Sequence, residues 1–207
     1  MKRISIFVIV LLYSVTGALC AQNKSVFNIL YQNIGKFSVQ MDFSYALNVS
    51  GVNSAGNGTV TFQDGAYVMK GNGLQIICDR KIAWVVDQAG KEVIIETPAQ
   101  GEQSYLDNPA LLLVNLTDAF NVSGVTVSGS LYTYNLLPKV NCGVKSAEIT
   151  IKSQDVPVIA SAVLVLSDDE RLDIKIKSMT FSEKKPLTSF FFDISVLDSS
   201  WLITDLR

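Results

Sequence analysis

The 207 residues include no histidine, and this limits the chemistry that the chain can perform. A Ser-His-Asp or Cys-His arrangement needs an imidazole as its base, so carboxylate pairs are the remaining acid and base groups. The densest acidic cluster is Asp168-Asp169-Glu170. We interpret it as a solvated turn between two strands, with calcium binding as the alternative. The sequence therefore predicts a chain that is not an enzyme and needs no cofactor.

The cysteines are the other residues with chemical potential. Cys78 and Cys142 lie far apart in the sequence. Two interpretations stay open: a structural disulfide in an oxidising compartment, or two buried and unreactive thiols. Two cysteines without a histidine make a poor zinc site, so no metal site is predicted.

Residues 1–21 have the pattern of a secretory signal peptide. A short basic start precedes an apolar run from Ile4 to Val15, and small residues close the segment. The run is too short for a comfortable membrane span, and no second stretch of about 18 apolar residues follows it. Cleavage after Cys20 or Ala21 fits the pattern, with lipidation of Cys20 as an alternative. We expect residues 22–207 to form one soluble, exported domain in the periplasm.

The charge of the expected mature domain argues against nucleic acid as a partner. Removal of the leader lowers the 17 basic residues to 15 and leaves the 19 acidic residues unchanged, a net charge of −4. A nucleic-acid surface needs a concentrated basic patch, and the sequence has none. The hydrophobic content of 48% is high for a soluble protein, and it suggests more apolar surface than folding requires.

Helical periodicity changes to strand periodicity near the start of this domain. Ser25–Gly35 places apolar residues three and four positions apart, which predicts a short amphipathic helix. From Phe37 to Val49, seven apolar residues alternate with polar or small ones, which predicts a long strand with one apolar face. Ser50–Asn57 is rich in turn-forming residues, and we interpret it as a loop before a strand over Gly58–Gln63.

Short strands with turn residues between them make up most of the remaining sequence. Asp64-Gly65 predicts a tight hairpin turn, and Asn108–Phe120 predicts a central helix with Pro109 in its first turn. Parallel pairing would need long crossovers, so we expect an antiparallel meander. About eleven strands would curl strongly, and the central helix would fill the concave face. The other predicted strands are Ala66–Lys70, Leu74–Cys78, Ala83–Asp87, Glu92–Thr97, Leu131–Leu136, Ser146–Lys152, Val158–Leu166, Arg171–Met179 and Ser189–Ser195.

Several stretches resemble one known family. Gly58–Phe62 followed by Ala66–Met69 is similar to a characteristic hairpin of the LolA family of periplasmic outer-membrane lipoprotein carriers. Cys78–Asp87 looks like that family's D-G-x-x-x-W-x-Y hairpin, and Asn108–Leu112 resembles the helix that follows it. The order of elements from Val26 to Arg207 resembles most closely the divergent Bacteroides-type members.

The resemblance implies a mainly β fold with a few helices, in which a curved antiparallel sheet forms an incomplete β barrel covered by helices. It also implies a monomer that carries lipoprotein acyl chains, or another lipid, toward the outer membrane. The implied partners are an inner-membrane lipoprotein-release transporter and an outer-membrane acceptor. Classical members have an arginine after the second strand, where this chain has Gln63 and Asp64. The family's gating mechanism is therefore not carried over.

An apolar hollow for acyl chains would need long, adaptable or aromatic side chains along its walls. The alternative for every candidate is ordinary core, because alternation shows which side chains share a face and not whether that face is hollow. The candidate lining residues are Val39, Met41, Phe43, Tyr45, Phe62, Tyr67, Met69, Trp84, Leu112, Leu113 and Leu116.

Two other function classes fit the sequence. The same fold could bind or sense a glycolipid or another lipid. The chain could also be a non-catalytic exported interaction module, for which Asn-x-Ser/Thr triplets would be glycosylation sites in a eukaryotic source. These triplets begin at Asn23, Asn48, Asn57, Asn115 and Asn121.

Overall fold

The computed structural model describes residues 26–49, 51–98, 119–139, 144–166 and 170–207. Helix α1 covers residues 26–36 and confirms the predicted amphipathic helix. No helix within these ranges is long and apolar enough to cross a membrane. Twelve strands follow α1: β1 (Ser38–Val49), β2 (Val52–Gln63), β3 (Ala66–Gly71), β4 (Leu74–Cys78), β5 (Ala83–Asp87), β6 (Glu92–Glu96), β7 (Phe120–Ser128), β8 (Leu131–Pro138), β9 (Ser146–Lys152), β10 (Val158–Val165), β11 (Arg171–Ser182) and β12 (Leu202–Asp205).

All twelve strands belong to one curved, open sheet. Its order is β12-β6-β5-β4-β3-β2-β1-β11-β10-β9-β8-β7, so β12 and β7 are the edges. Neighbouring strands are antiparallel except that β12 runs parallel to β6. The predicted mainly β fold with a large antiparallel sheet is confirmed, with this parallel edge as an addition.

The predicted loop over Ser50–Asn57 is wrong. β2 begins at Val52 and pairs with β1 in an unbroken register from Val49↔Val52 to Val39↔Phe62. The connection is a tight turn in which Gly51 has a φ of 78°. Backbone hydrogen bonds to β1 hold this segment extended although its side chains are small and polar, so cross-strand pairing overrides local turn propensity.

Two differences concern the second half of the chain. Phe120 begins β7 and does not end a helix, and a bulge after Val122 interrupts the alternation that would have revealed this strand. The strand predicted over Ser189–Ser195 is wrong, because two short 3₁₀ helices, Leu187–Phe190 and Ile194–Val196, cover the two ends of that stretch and no strand lies between them. The Asp193 carboxylate accepts a hydrogen bond from the Ser195 amide and caps the second of them. The rest of the predicted central helix lies outside the described residues apart from Ala119.

The main hydrophobic core lies on the face of the sheet that we call the inner face. Side chains that alternate inward from the central strands and from β8 to β11 meet α1 there. α1 contributes Phe27 and Leu30, and the Phe27 ring lies 5.0 Å from the Tyr134 ring of β8. This contact fixes the helix over the half of the sheet that contains β8 and β9.

The opposite, outer face is covered over β3 to β6 by the C-terminal segment, residues 183–207. Phe192, Leu197 and Trp201 of this segment pack against a second apolar cluster that includes Trp84 and Val93. The segment then joins the sheet as β12, where the Leu202 amide donates to the Lys91 carbonyl at 2.9 Å. The outer face of the β4–β6 region is therefore occupied by the chain itself.

The Tyr134 hydroxyl makes the anchoring of α1 dependent on pH. Burial raises the pKa of Tyr134 to about 12, although its hydrogen bond with the Phe27 backbone acts in the opposite direction. An unfolded tyrosine titrates near pH 10. Between pH 10 and 12 the unfolded chain releases this proton and the folded chain keeps it, so the folded state loses stability as the pH rises.

We expect the Tyr134→Phe variant to escape this loss. At pH 8 the variant should be less stable by about 1 kcal/mol because a buried hydrogen bond is removed. From pH 8 to pH 11 its stability should fall by less than that of the unmodified chain, and urea unfolding at both pH values measures the difference. An equal fall in the two proteins would show that Tyr134 does not carry the effect.

Candidate functional site

A groove opens on the inner face at the end of the sheet that holds the β1–β2 turn and the β3–β4 turn. Its volume is about 220 Å³. No residue of α1 contributes to its walls. The apolar side chains that line it come from four strands: Phe43, Tyr45 and Leu47 from β1, Met69 from β3, Leu74 and Ile76 from β4, and Leu172 from β11.

Strand register explains why these side chains converge. Phe43 of β1 faces Ile176 of β11 on one side and Gly58 of β2 on the other, and Tyr45 faces Gly56. Period-two alternation then places the apolar residues of β3 and β4 on the same face. The alternating strand β1 therefore supplies three of the apolar side chains that line the groove.

Glycines in β2 make room for the aromatic rings of β1. A Cβ added to Gly58 would lie 2.6 Å from Phe43 Cζ, and one added to Gly56 would lie 2.8 Å from the Tyr45 hydroxyl. Real side chains do not approach so closely, so only glycine permits the rings to lie across β2. These two glycines therefore shape the groove, although Gly56 was assigned to the predicted loop and Gly58 to the start of the predicted strand.

The rim of the groove is polar but carries little charge. Asn72, at a φ of 51° in the β3–β4 turn, donates a side-chain hydrogen bond to the Tyr45 hydroxyl. The Asn57 side chain is occupied by Lys177, whose Nζ donates to its Oδ1 at 2.5 Å. Lys70 touches the groove, yet the register directs its side chain to the outer face because it pairs with Thr59, next to the inward-facing Gly58 and Val60. The described lining is thus an apolar wall with neutral hydrogen-bonding groups at its mouth.

The structure separates the predicted lining residues into groups. Phe43, Tyr45 and Met69 line the groove. Val39 and Met41 are 0% exposed and, with Phe62 and Tyr67, belong to the packed core on the same face. Leu112, Leu113 and Leu116 lie outside the described residues.

Trp84 lies on the outer face. It pairs with Ile77 and Ile95, and its neighbour Ala83 points to the inner core. The Trp84 ring meets the Phe191 ring edge to face at 5.2 Å. Trp84 therefore packs against the C-terminal segment and does not share a face with the groove.

Four apolar groove residues were not among the candidates: Leu47, Leu74, Ile76 and Leu172. Leu47 belongs to the alternating series of β1, so its inward direction was visible in the sequence. The other three come together only through the pairing of distant strands, in which Leu47 faces Leu172. The periodicity of a single sequence does not show which distant strands pair, or in which register.

The remaining chemical candidates do not form a reactive site in the described part of the chain. Cys78 is buried and forms no disulfide with a described residue. Cys142 lies outside the described residues, so the disulfide considered above stays a prediction. Burial raises the pKa of the Cys78 thiol, which makes it a poor nucleophile. The described ranges hold no group of three or more carboxylate or thiol side chains that could bind a metal ion. Asp168 and Asp169 lie outside those ranges.

Solved structures share this fold. An uncharacterized conserved protein from Thermus thermophilus is 8% identical, has a TM-score of 0.54, and the match covers 88% of this chain and 98% of that one. The fold is shared; the sequence is not. A DUF1329 family protein from Desulfovibrio piger is 10% identical over 84% of this chain and 98% of its own, with a TM-score of 0.48. A LolA superfamily protein from Nitrosomonas europaea is 9% identical over 82% and 97%, with a TM-score of 0.45.

The last of these neighbours is described as a member of the LolA superfamily, the family that the sequence resembles. At such low identity the similarity concerns the fold alone. No family model matches the sequence, and no curated protein matches it.

The Gly58→Ala variant tests whether glycine shapes the groove. The added methyl group would meet Phe43 Cζ at 2.6 Å and the Lys70 carbonyl oxygen at 3.0 Å, so the ring or the strand must move. We expect a loss of about 1 to 3 kcal/mol in the free energy of unfolding, measured in urea.

Gly35→Ala is the matched control. Gly35 is helical, and apart from the backbone of its own helix and its chain neighbours no atom lies within 4 Å of a Cβ placed there. Its stability should stay the same or rise by up to about 1 kcal/mol. If the two variants had equal stability, close packing at Gly58 would not be a constraint.

Proposed function

We propose that this chain is a non-catalytic, exported lipid carrier that holds a hydrocarbon chain in the groove on its inner face. The observation that carries the proposal is the apolar wall formed by Leu47, Met69, Leu74, Ile76 and Leu172 beside the packed core. A site for hydrocarbon needs such a wall, and a hydrolytic site needs groups that this wall does not have.

The size of the groove favours one chain segment. Its volume of about 220 Å³ lies below the range of roughly 300 to 1,000 Å³ for sites that enclose a drug-sized ligand. Burying about ten methylene groups would contribute at most about 8 kcal/mol, which corresponds to a micromolar dissociation constant. Such an affinity suits a carrier, because the cargo must also be released.

The neutral rim suggests how a bound lipid is oriented. The Tyr45 hydroxyl and the Asn72 amide hydrogen-bond to each other at the mouth of the groove. An ester or amide group at the head of an acyl chain could exchange hydrogen bonds with this pair. The hydrocarbon would then lie against Phe43 and Met69, deeper on the inner face.

The sequence resemblance supplies the finer part of the proposal. It implies that the cargo is the acyl portion of a lipoprotein, received from an inner-membrane release transporter and passed to an outer-membrane acceptor. It also implies that helices in addition to α1 cover the hollow of an incomplete barrel. The apparent leader at residues 1–21 supports export to the periplasm.

The Leu74→Asp variant tests whether the groove binds lipid. Leu74 is 42% exposed, so the change should leave the fold intact. A carboxylate in the apolar wall would have to be desolvated against hydrocarbon, and the dissociation constant of a fluorescent fatty acid should rise at least tenfold. Delipidated protein and fluorescence titration provide the measurement.

Leu131→Asp is the matched control because Leu131 is 40% exposed and lies on β8, away from the groove. This variant should bind the probe as the unmodified chain does. Equal binding by both variants would move the lipid site elsewhere. If the unmodified chain bound neither fatty acid nor glycolipid, the proposed carrier function would be contradicted. That result would favour an interaction module.

A further inference from the structure

The outer face carries a second hollow, on the opposite side of the sheet from the groove. Its volume is about 270 Å³. The floor comes from β2 and β3, where Thr59 pairs with Lys70 and Thr61 pairs with Val68. Lys185, Ser189 and Phe190 of the C-terminal segment form the other wall.

A buried side chain fixes this wall in place. Gln63 is 2% exposed, and its amide forms two hydrogen bonds with the Lys185 backbone. Nε2 donates to the Lys185 carbonyl at 2.8 Å, and the Lys185 amide donates to Oε1 at 2.8 Å. Phe190, which is 1% exposed, anchors the segment at its other end. The wall of the hollow is therefore attached to the sheet at two places, the Gln63–Lys185 hydrogen bonds and the buried Phe190 side chain.

The hollow has unbalanced positive charge. Neither the Lys70 nor the Lys185 ammonium group forms an ion pair with the described residues, whereas the adjacent Lys184 is paired with Asp64 at 2.5 Å. No carboxylate from the described residues lines the hollow. This arrangement contrasts with the whole chain, whose acidic residues outnumber its basic ones by 19 to 17.

We propose that this hollow binds a phosphate group, carried by a soluble phosphate ester or by a lipid headgroup. Two ammonium groups would balance the charge, and the hydroxyls of Thr59, Thr61 and Ser189 can donate hydrogen bonds to the remaining oxygens. Lysine binds phosphate as a point charge and does not need the planar geometry of arginine. Because the hollow and the acyl groove lie on opposite faces, phosphate binding does not depend on the proposed lipid carriage.

Titration of the full mature chain with inorganic phosphate and with glycerol phosphate tests the proposal. Amide chemical shifts in a phosphate-free buffer of low ionic strength give the dissociation constants. We expect shifts at Thr59, Thr61 and Ser189, and weaker binding when salt screens the charges. Lys70→Gln and Lys185→Gln should each weaken binding about tenfold, and Lys152→Gln, an exposed lysine of β9, should not.

A second arm distinguishes the source of the phosphate. Sedimentation with phosphatidylcholine vesicles, with and without phosphatidylglycerol, measures recognition of a lipid headgroup. Binding to the anionic vesicles that is lost in the Lys70→Gln and Lys185→Gln variants would assign the site to a lipid. Binding to soluble phosphate alone would assign it to a soluble ester. If neither probe binds, or if Lys152→Gln weakens binding as much as the two other variants, the hollow is not a phosphate site.

Discussion

The described part of the structure depends on one geometric constraint: the inner face of the sheet is wider than α1, the helix that packs on it there. Twelve strands spaced about 4.8 Å apart span roughly 50 Å across the sheet, whereas the 11 residues of α1 extend about 16 Å. α1 packs near Tyr134 on β8. The apolar side chains of β1 to β4 near the β1–β2 turn are beyond its reach, and the groove forms there.

The two faces of the large sheet are covered by different parts of the chain. On the outer face the C-terminal segment crosses β3 to β6, packs Trp201 and Phe192 against the apolar cluster, and is tied down by Gln63. The inner face relies on α1 and on a dense core in which Val39 and Met41 have no exposure. The groove lies where this dense core ends, so packed core and candidate binding surface belong to one continuous strip of β1.

Sequence periodicity revealed most of this fold. The alternation of β1 and the hairpin turn at Asp64-Gly65 were correctly predicted, because side-chain direction and turn chemistry are local properties. β2 was half missed because its glycines have a role only opposite the rings of β1. β12 was missed because its four residues form a strand only by pairing with the distant β6.

The candidate site was less predictable than the fold. Of the predicted lining residues, Phe43, Tyr45 and Met69 lie at the groove, on strands whose inward face the alternation defines. Trp84 was grouped with them because aromatic character suggested a lining role, although register places it on the other face. The site is determined by which strands pair with each other. This pairing depends on residues that are distributed over the whole chain.

Photo-crosslinking would test most directly whether the groove holds hydrocarbon. A fatty acid with a diazirine in its chain would be bound to the mature protein, irradiated, and located by mass spectrometry of the resulting peptides. The account predicts adducts on the β1 peptide with Tyr45 and Leu47 and on the β3–β4 peptide with Met69, Leu74 and Ile76. Adducts confined to outer-face peptides around Trp84 and Trp201, or no adduct at all, would contradict it.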